Sequence, residues 1–111
     1  MKALLQVSDR LTIEVEAESQ KALFSGIADA QEIFGEEKCG KCSNTDLQYR
    51  VRDVDGNQYY EIKCKNLSCN ARFKFGLHKT GGTLFPKKKE DGEWLPDGGW
   101  MKWNKETQSE E

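Results

Sequence analysis

Apolar and polar positions alternate at several places along this chain, and each alternation predicts a strand with one buried face. In "RLTIEVEAES", Leu11, Ile13, Val15 and Ala17 alternate with Thr12, Glu14, Glu16 and Glu18, and "MKALLQV" reads as a strand before it. The period then lengthens. Leu23, Phe24, Ile27, Ala30, Ile33 and Phe34 recur at helical spacing, with Ser19 as N-cap and Gly35 as the stop. Such a stripe predicts core packing against a sheet.

Strand spacing returns in "LQYRVRD" and "QYYEIKC", which flank "VDGN"; its Asp55-Gly56 pair signals a tight hairpin. "ARFKFGLHK" is a third strand, and the Gly81-Gly82 turn leads into "TLFPKKK", a short edge strand ended by Pro86. From Glu90, "EDGEWLPDGGWMKW" is rich in Gly, Asp and Pro and reads as an ordered loop, with at least two of its three tryptophans expected in the core. Residues 106–111 read as a disordered acidic tail. The pattern predicts an α+β fold: N-terminal strands and one helix packed on an antiparallel β-sheet. Residues 1–105 are expected to form one compact domain, comprising a strand-helix unit (1–38), a basic β-unit (39–89) and a Trp-rich segment (90–105).

Four cysteines punctuate the β-unit. Cys39-Gly40-Lys41-Cys42 is a C-x2-C, and Cys64 and Cys69 form a C-x4-C, with two strands and a turn between the pairs. A hairpin that brings two such turns together converges four thiolates tetrahedrally, the ligand set and geometry zinc prefers. One Zn2+ per chain, held by Cys39, Cys42, Cys64 and Cys69, is the expectation, and it makes the antiparallel sheet zinc-ribbon-like. Such a site is closed, which assigns the metal to structure and not to catalysis. A rubredoxin-like iron site also takes four thiolates, but both its pairs are usually C-x2-C. A redox C-x-x-C needs a strand-to-helix context, and this one precedes a hairpin.

At 111 residues with 36% hydrophobic and 32% charged positions, the chain is polar but globular in composition. No apolar run approaches a membrane span, and the segment after Lys2 breaks at Gln6, Ser8 and Asp9. No signal peptide, no membrane partner and a cytoplasmic location are therefore expected, where thiols stay reduced and metal sites outnumber disulfides.

The net charge of -2 conceals a segregation. Residues 1–38 hold four basic and eight acidic side chains, residues 39–89 eleven and four, and residues 90–111 two and seven. A basic middle lies between acidic flanks. Alternation sorts its side chains by face. Leu47, Tyr49, Val51, Tyr60, Ile62, Cys64, Ala71, Phe73, Phe75 and Leu77 share an apolar face. The opposite face collects Arg50, Arg52, Lys63, Arg72, Lys74 and His78 around Tyr59, with Glu61 the one acid among them and Lys79, Lys87, Lys88 and Lys89 just beyond. Cations spread over a sheet with an aromatic among them suit a nucleic-acid backbone and a stacked base. Unneutralised positive charge on neighbouring strands is repulsive, so its accumulation needs a reason.

"CGKC", a hairpin, and then "YYEIKCKNLSCNARFKF" resembles the zinc-binding module of the Ogr/Delta family of bacteriophage late-transcription activators, over about residues 39–75. The shared features are the first close pair, a similar gap, an aromatic ahead of the third cysteine, C-x-N-x-x-C, and an apolar-aromatic strand afterwards. The resemblance implies zinc ligation by the same four cysteines, a turn role for Asn66, and a phage or prophage origin. No carboxylate pair, nucleophile-base set or phosphate loop points to an enzyme. The residues thus predict a non-enzymatic nucleic-acid-binding protein, with single-stranded DNA or RNA preferred to duplex, acting in phage replication, recombination or expression. A second expectation is an adaptor or transcription activator contacting a protein of the replication or transcription machinery, such as RNA polymerase. A third is a mobile-element inhibitor whose acidic ends mimic nucleic acid.

Overall fold

The computed structural model describes residues 1–9, 11–78 and 82–111 and divides into two compact units, Met1–Glu37 and Lys38–Glu111. The architecture is α+β, with one helix among the described residues and antiparallel pairing throughout.

In the N-terminal unit, β1 (Lys2–Gln6) pairs with β2 (Thr12–Glu16), placing Ala3 opposite Val15 and Leu5 opposite Ile13. These four side chains are half-buried and their neighbours exposed, as the alternation requires. Helix α1 (Gln20–Phe34) follows; Ser19 caps it, its hydroxyl accepting from the Ala22 amide at 3.1 Å. Leu23, Ile27, Ala30, Ile33 and Phe34 form the half-buried stripe. Phe24, expected in that stripe, is 78% exposed. It follows Leu23 by one residue and so turns about 100° away from the packed face.

The second unit is built on β3 (Leu47–Val54), β4 (Asn57–Cys64), β5 (Arg72–Leu77) and β6 (Leu84–Pro86), adjacent in that order. Asp55 and Gly56, at φ 52° and 82°, make the mirror-image turn that suits the twist of β3 and β4. Register aligns Tyr49 with Ile62 and Ile62 with Phe73, and on the other face Arg50 with Glu61 and Glu61 with Lys74. The two faces are sorted as the alternation predicts. The apolar face is not continuously covered, however. Ile62, Phe73 and Phe75 are buried, whereas Val51 on the outer strand is 56% exposed.

The segment from Glu90 on, expected to be an ordered loop followed by a disordered tail over residues 106–111, takes part in a succession of short strands. Strands β7 (Lys89–Glu90) and β8 (Glu93–Trp94) form a hairpin across Asp91-Gly92, at φ 52° and 82°, repeating the dipeptide of the main hairpin. A tight turn over Pro96–Gly99, with Asp97 and Gly98 in the left-handed region at φ 55° and 66°, leads into β9 (Trp100–Met101), which joins the main sheet beside β5. Strands β10 (Trp103–Asn104) and β11 (Ser109–Glu110) close a last hairpin, so the C-terminal residues are ordered. One tryptophan enters the core, not two. Trp100 is buried against Phe73, ring centroids 5.8 Å apart, while Trp94 and Trp103 are 71% and 55% exposed.

Candidate metal centre and basic face

Two turns carry the cysteines. The first, Cys39 to Cys42, is closed by the Ser43 amide donating to the Cys39 carbonyl and the Cys39 amide donating to the Asn44 carbonyl, both at 2.9 Å. Gly40 is required here by close approach: a Cβ would lie 2.6 Å from the Trp100 ring and 2.5 Å from the Asp97 carbonyl oxygen. Lys41 ties the same turn to Asp97 through an ion pair of 2.6 Å. The second turn leaves β4 at Cys64. Asn66 organises it, its side-chain oxygen accepting from Ser68 N at 3.1 Å and its carbonyl accepting from Cys69 N and Asn70 N.

The four sulfurs lie within 4.8 Å of one another, with Cys39 to Cys69 at 3.8 Å and Cys42 to Cys64 at 3.5 Å. Tetrahedral zinc with Zn–S bonds of about 2.3 Å holds its sulfurs roughly 3.8 Å apart. The donor set therefore fits one metal ion, and four thiolates in this geometry fit zinc. Cys39, Cys64 and Cys69 are buried and Cys42 is exposed. Amide donors approach the sulfurs: Lys41 N to Cys39 at 3.3 Å, the Asn44 side chain to Cys64 at 3.5 Å and the Asn66 side chain to Cys42 at 3.8 Å. Such donors stabilise negative sulfur and orient it. Asn44 carries no spacing signal of its own, and sequence reasoning missed it. Burial pushes the Cys39 thiol up to about 12 and raises Cys69, whereas the Asn44 backbone amide, outweighing desolvation, lowers Cys42 to about 7. Without a cation, the Cys39 and Cys69 thiols hold their protons at neutral pH, and a bound metal would have to displace them.

The basic face departs from the expectation of a solvated cationic surface with one opposing acid. Glu61 is buried, at 3% exposure, beneath three arginines. Arg50 donates to its Oε1 through Nε, at 2.7 Å, and through Nη2. Arg52 Nε lies 2.9 Å from the same oxygen without the alignment of a hydrogen bond, and Arg72 Nη1 is 3.6 Å from Oε2. A second carboxylate arrives from the far end of the chain. Glu110, 16% exposed, meets Arg72 at 2.5 Å with one oxygen and Lys74 with the other. Burial opposes ionisation of Glu110, but Lys74 and Arg72 outweigh it and hold the carboxyl below its usual range.

The remaining expected contact residues are dispersed. Tyr59 is 48% exposed, with the Arg52 guanidinium 5.6 Å from its ring centroid. Lys63 lies on the same face, paired across the sheet with Gln48 and Arg72. His78 is exposed, its ring 4.7 Å from that of Phe85 and outside the sulfur cluster. Lys79 lies outside the described residues. Lys87 and Lys89 join Lys74 around one open pocket, while Lys88 is half-buried, with its carbonyl accepting from Leu95 N. The face holds Arg50, Arg52, Lys63, Arg72 and Lys74 against Glu61 and Glu110, leaving three positive charges in excess.

No protein-family model, curated protein or solved structure matches this chain. The class defined by fold and site is an α+β protein with a four-cysteine metal-binding module compatible with zinc.

Three outcomes test this geometry. The purified protein is expected to contain one zinc per chain, and chelation or Cys64→Ser to unfold the second unit, read by metal analysis and circular dichroism. Apparent binding energies for structural zinc of about 10–16 kcal/mol make the loss global to that unit. Iron or no metal would reject the assignment. Glu61→Gln should lower unfolding free energy by about 2 kcal/mol in urea, because it strips the shared anion from beneath three partly exposed guanidinium groups. A change below about 0.5 kcal/mol, the scale of an ordinary surface substitution, would show that Glu61 does not organise them. Because the carboxyl of Glu110 is held below its ordinary 4.5, its stabilisation is complete above that value and disappears as pH falls through the lowered one. The β10–β11 hairpin should therefore stay docked in mild acid and loosen only in stronger acid, read from the Trp103 indole resonance.

Proposed function

We propose that this protein binds single-stranded nucleic acid on the face of its metal-stabilised ribbon, and that it acts without catalysis. The observation that carries the reading is the excess of cations on one sheet face around an exposed tyrosine. Arg50, Arg52 and Arg72 are pre-positioned by Glu61, so less side-chain entropy is lost when they meet phosphates. Lys63, Lys74, Lys87 and Lys89 extend the positive surface, and Tyr59 offers a ring for stacking. Single strands suit this surface better than duplex. The one helix among the described residues has Asp29 and Glu32 against Lys21, the wrong charge to enter a major groove. The likeness of residues 39–75 to the phage activator module supports a role in phage replication, recombination or expression.

A second reading, a protein-binding adaptor that contacts the transcription machinery, draws on the outer strand β3, where Val51 and Val54 are 56% and 43% exposed. Fluorescence titration with single-stranded and duplex oligonucleotides at two salt concentrations separates the two. The expected result is salt-sensitive binding, tighter for the single strand. It should be weakened by Lys63→Glu with Lys87→Glu, which avoids the arginines anchored on Glu61. Tyr59→Ala should weaken it about five- to hundredfold, corresponding to stacking of about 1–3 kcal/mol, at little cost in stability. Tyr60→Ala, on the half-buried face, should cost stability first. Binding absent at low salt, or indifferent to the double charge reversal and to Tyr59→Ala, would move the adaptor reading ahead.

A further inference from the structure

Beside the basic face, an open pocket of about 420 Å³ is lined by Lys74, Lys87 and Lys89, by Phe85, Leu95 and Met101, and by the carboxylates Glu90 and Glu110. Its chemistry is divided. The three ammonium groups and nearby Arg72 favour an anion, while Phe85 and Met101 offer an apolar surface of the kind a base or sugar covers. Glu110 is the anion present. Its two oxygens reach two different cations, Arg72 and Lys74, as two oxygens of one phosphate would.

We propose that this pocket is a nucleotide subsite that takes one phosphate of the bound strand between Arg72 and Lys74, and that Glu110 fills that phosphate position in the free protein. The proposal rests on the nucleic-acid reading above and gives it a location and a competitor.

Two features make Glu110 displaceable. It is carried on a hairpin of two residues per strand, extended by paired bonds of 2.8 Å between Lys102 and Glu111. A hairpin this short is marginal in water without its docking contacts. Arg72 also keeps a second carboxylate, Glu61, 3.6 Å from Nη1. When Glu110 leaves, Arg72 remains oriented and partly neutralised, so the vacated position is ready for another anion. Neutralising Glu110 removes the competitor and frees up to two cations for phosphate. Each phosphate contact on a single strand steepens the dependence of log affinity on log salt by about 0.7.

The test compares the full chain with Glu110→Gln and Glu106→Gln, titrated with fluorescent oligothymidylate at several salt concentrations. Glu106 lies exposed on the turn of the same hairpin, so its substitution makes the same change in net charge away from Arg72 and Lys74. Glu110→Gln is expected to bind about three- to tenfold more tightly than the parent, with a steeper salt dependence, and Glu106→Gln to stay near the parent. The indole resonance of Trp103, assigned with Trp103→Phe, should move when oligothymidylate binds the parent, because Trp103 pairs with Glu110 across the hairpin. Inorganic phosphate at matched ionic strength should not move it, which separates a strand's phosphate from free phosphate. If Glu110→Gln and Glu106→Gln tighten binding equally, or neither does, the subsite assignment is overturned and the nucleic-acid reading stands. If no variant binds oligothymidylate at any salt concentration, both fall.

Discussion

Four cysteine sulfurs brought within 4.8 Å of one another are the constraint on which the second unit depends. Cys39, Cys64 and Cys69 are three of the nine buried apolar residues among the described residues, so the sulfur cluster is part of the core and not an addition to it. A β-unit with this little apolar interior needs a cross-link to hold its strands. A metal at the four sulfurs would join the loop ahead of β3 to the end of β4 and the turn before β5. Trp100 completes the arrangement from a distant part of the chain, lying over Gly40 and against Phe73.

Once those strands are fixed, the basic face becomes a problem of like charges at short range. Glu61 addresses it from below, where low exposure strengthens each interaction with Arg50, Arg52 and Arg72. Glu110 addresses it from above. The two carboxylates share Arg72, which couples the buried ion cluster to the C-terminal hairpin. A surface organised this way is neither bare nor neutral: its cations are held in place and remain in excess. That combination suits recognition of a polyanion, because the side chains are ordered before the partner arrives.

The exposed aromatics extend the same logic. Trp94 carries Lys89 4.3 Å from its ring centroid, and Tyr59 carries Arg52, so each pairs a flat apolar surface with a cation. Burying either ring contributes little to this fold as it stands. Both geometries match what a stacked base beside a phosphate presents to a protein.

Local chemistry was legible in the amino-acid order. Cysteine spacing anticipated the cluster of four sulfurs, alternation assigned the faces of β3, β4 and β5, Ser19 marked the helix start, and Asp55-Gly56 marked the hairpin, since each depends on residues close in the chain. Asp91-Gly92 is the same dipeptide, but the strands beside it are only two residues long and show no period, so the segment reads as a loop in sequence. What tertiary structure alone decided is long-range. Which tryptophan is buried depends on β9 reaching β5, and whether Glu61 is solvated depends on three arginines closing over it from two other strands. The position of Glu110 depends on the chain end folding back onto residues 36 and 38 positions earlier. No periodicity encodes these contacts, because they arise from the packing of segments whose own patterns are too short or too polar to announce a buried face.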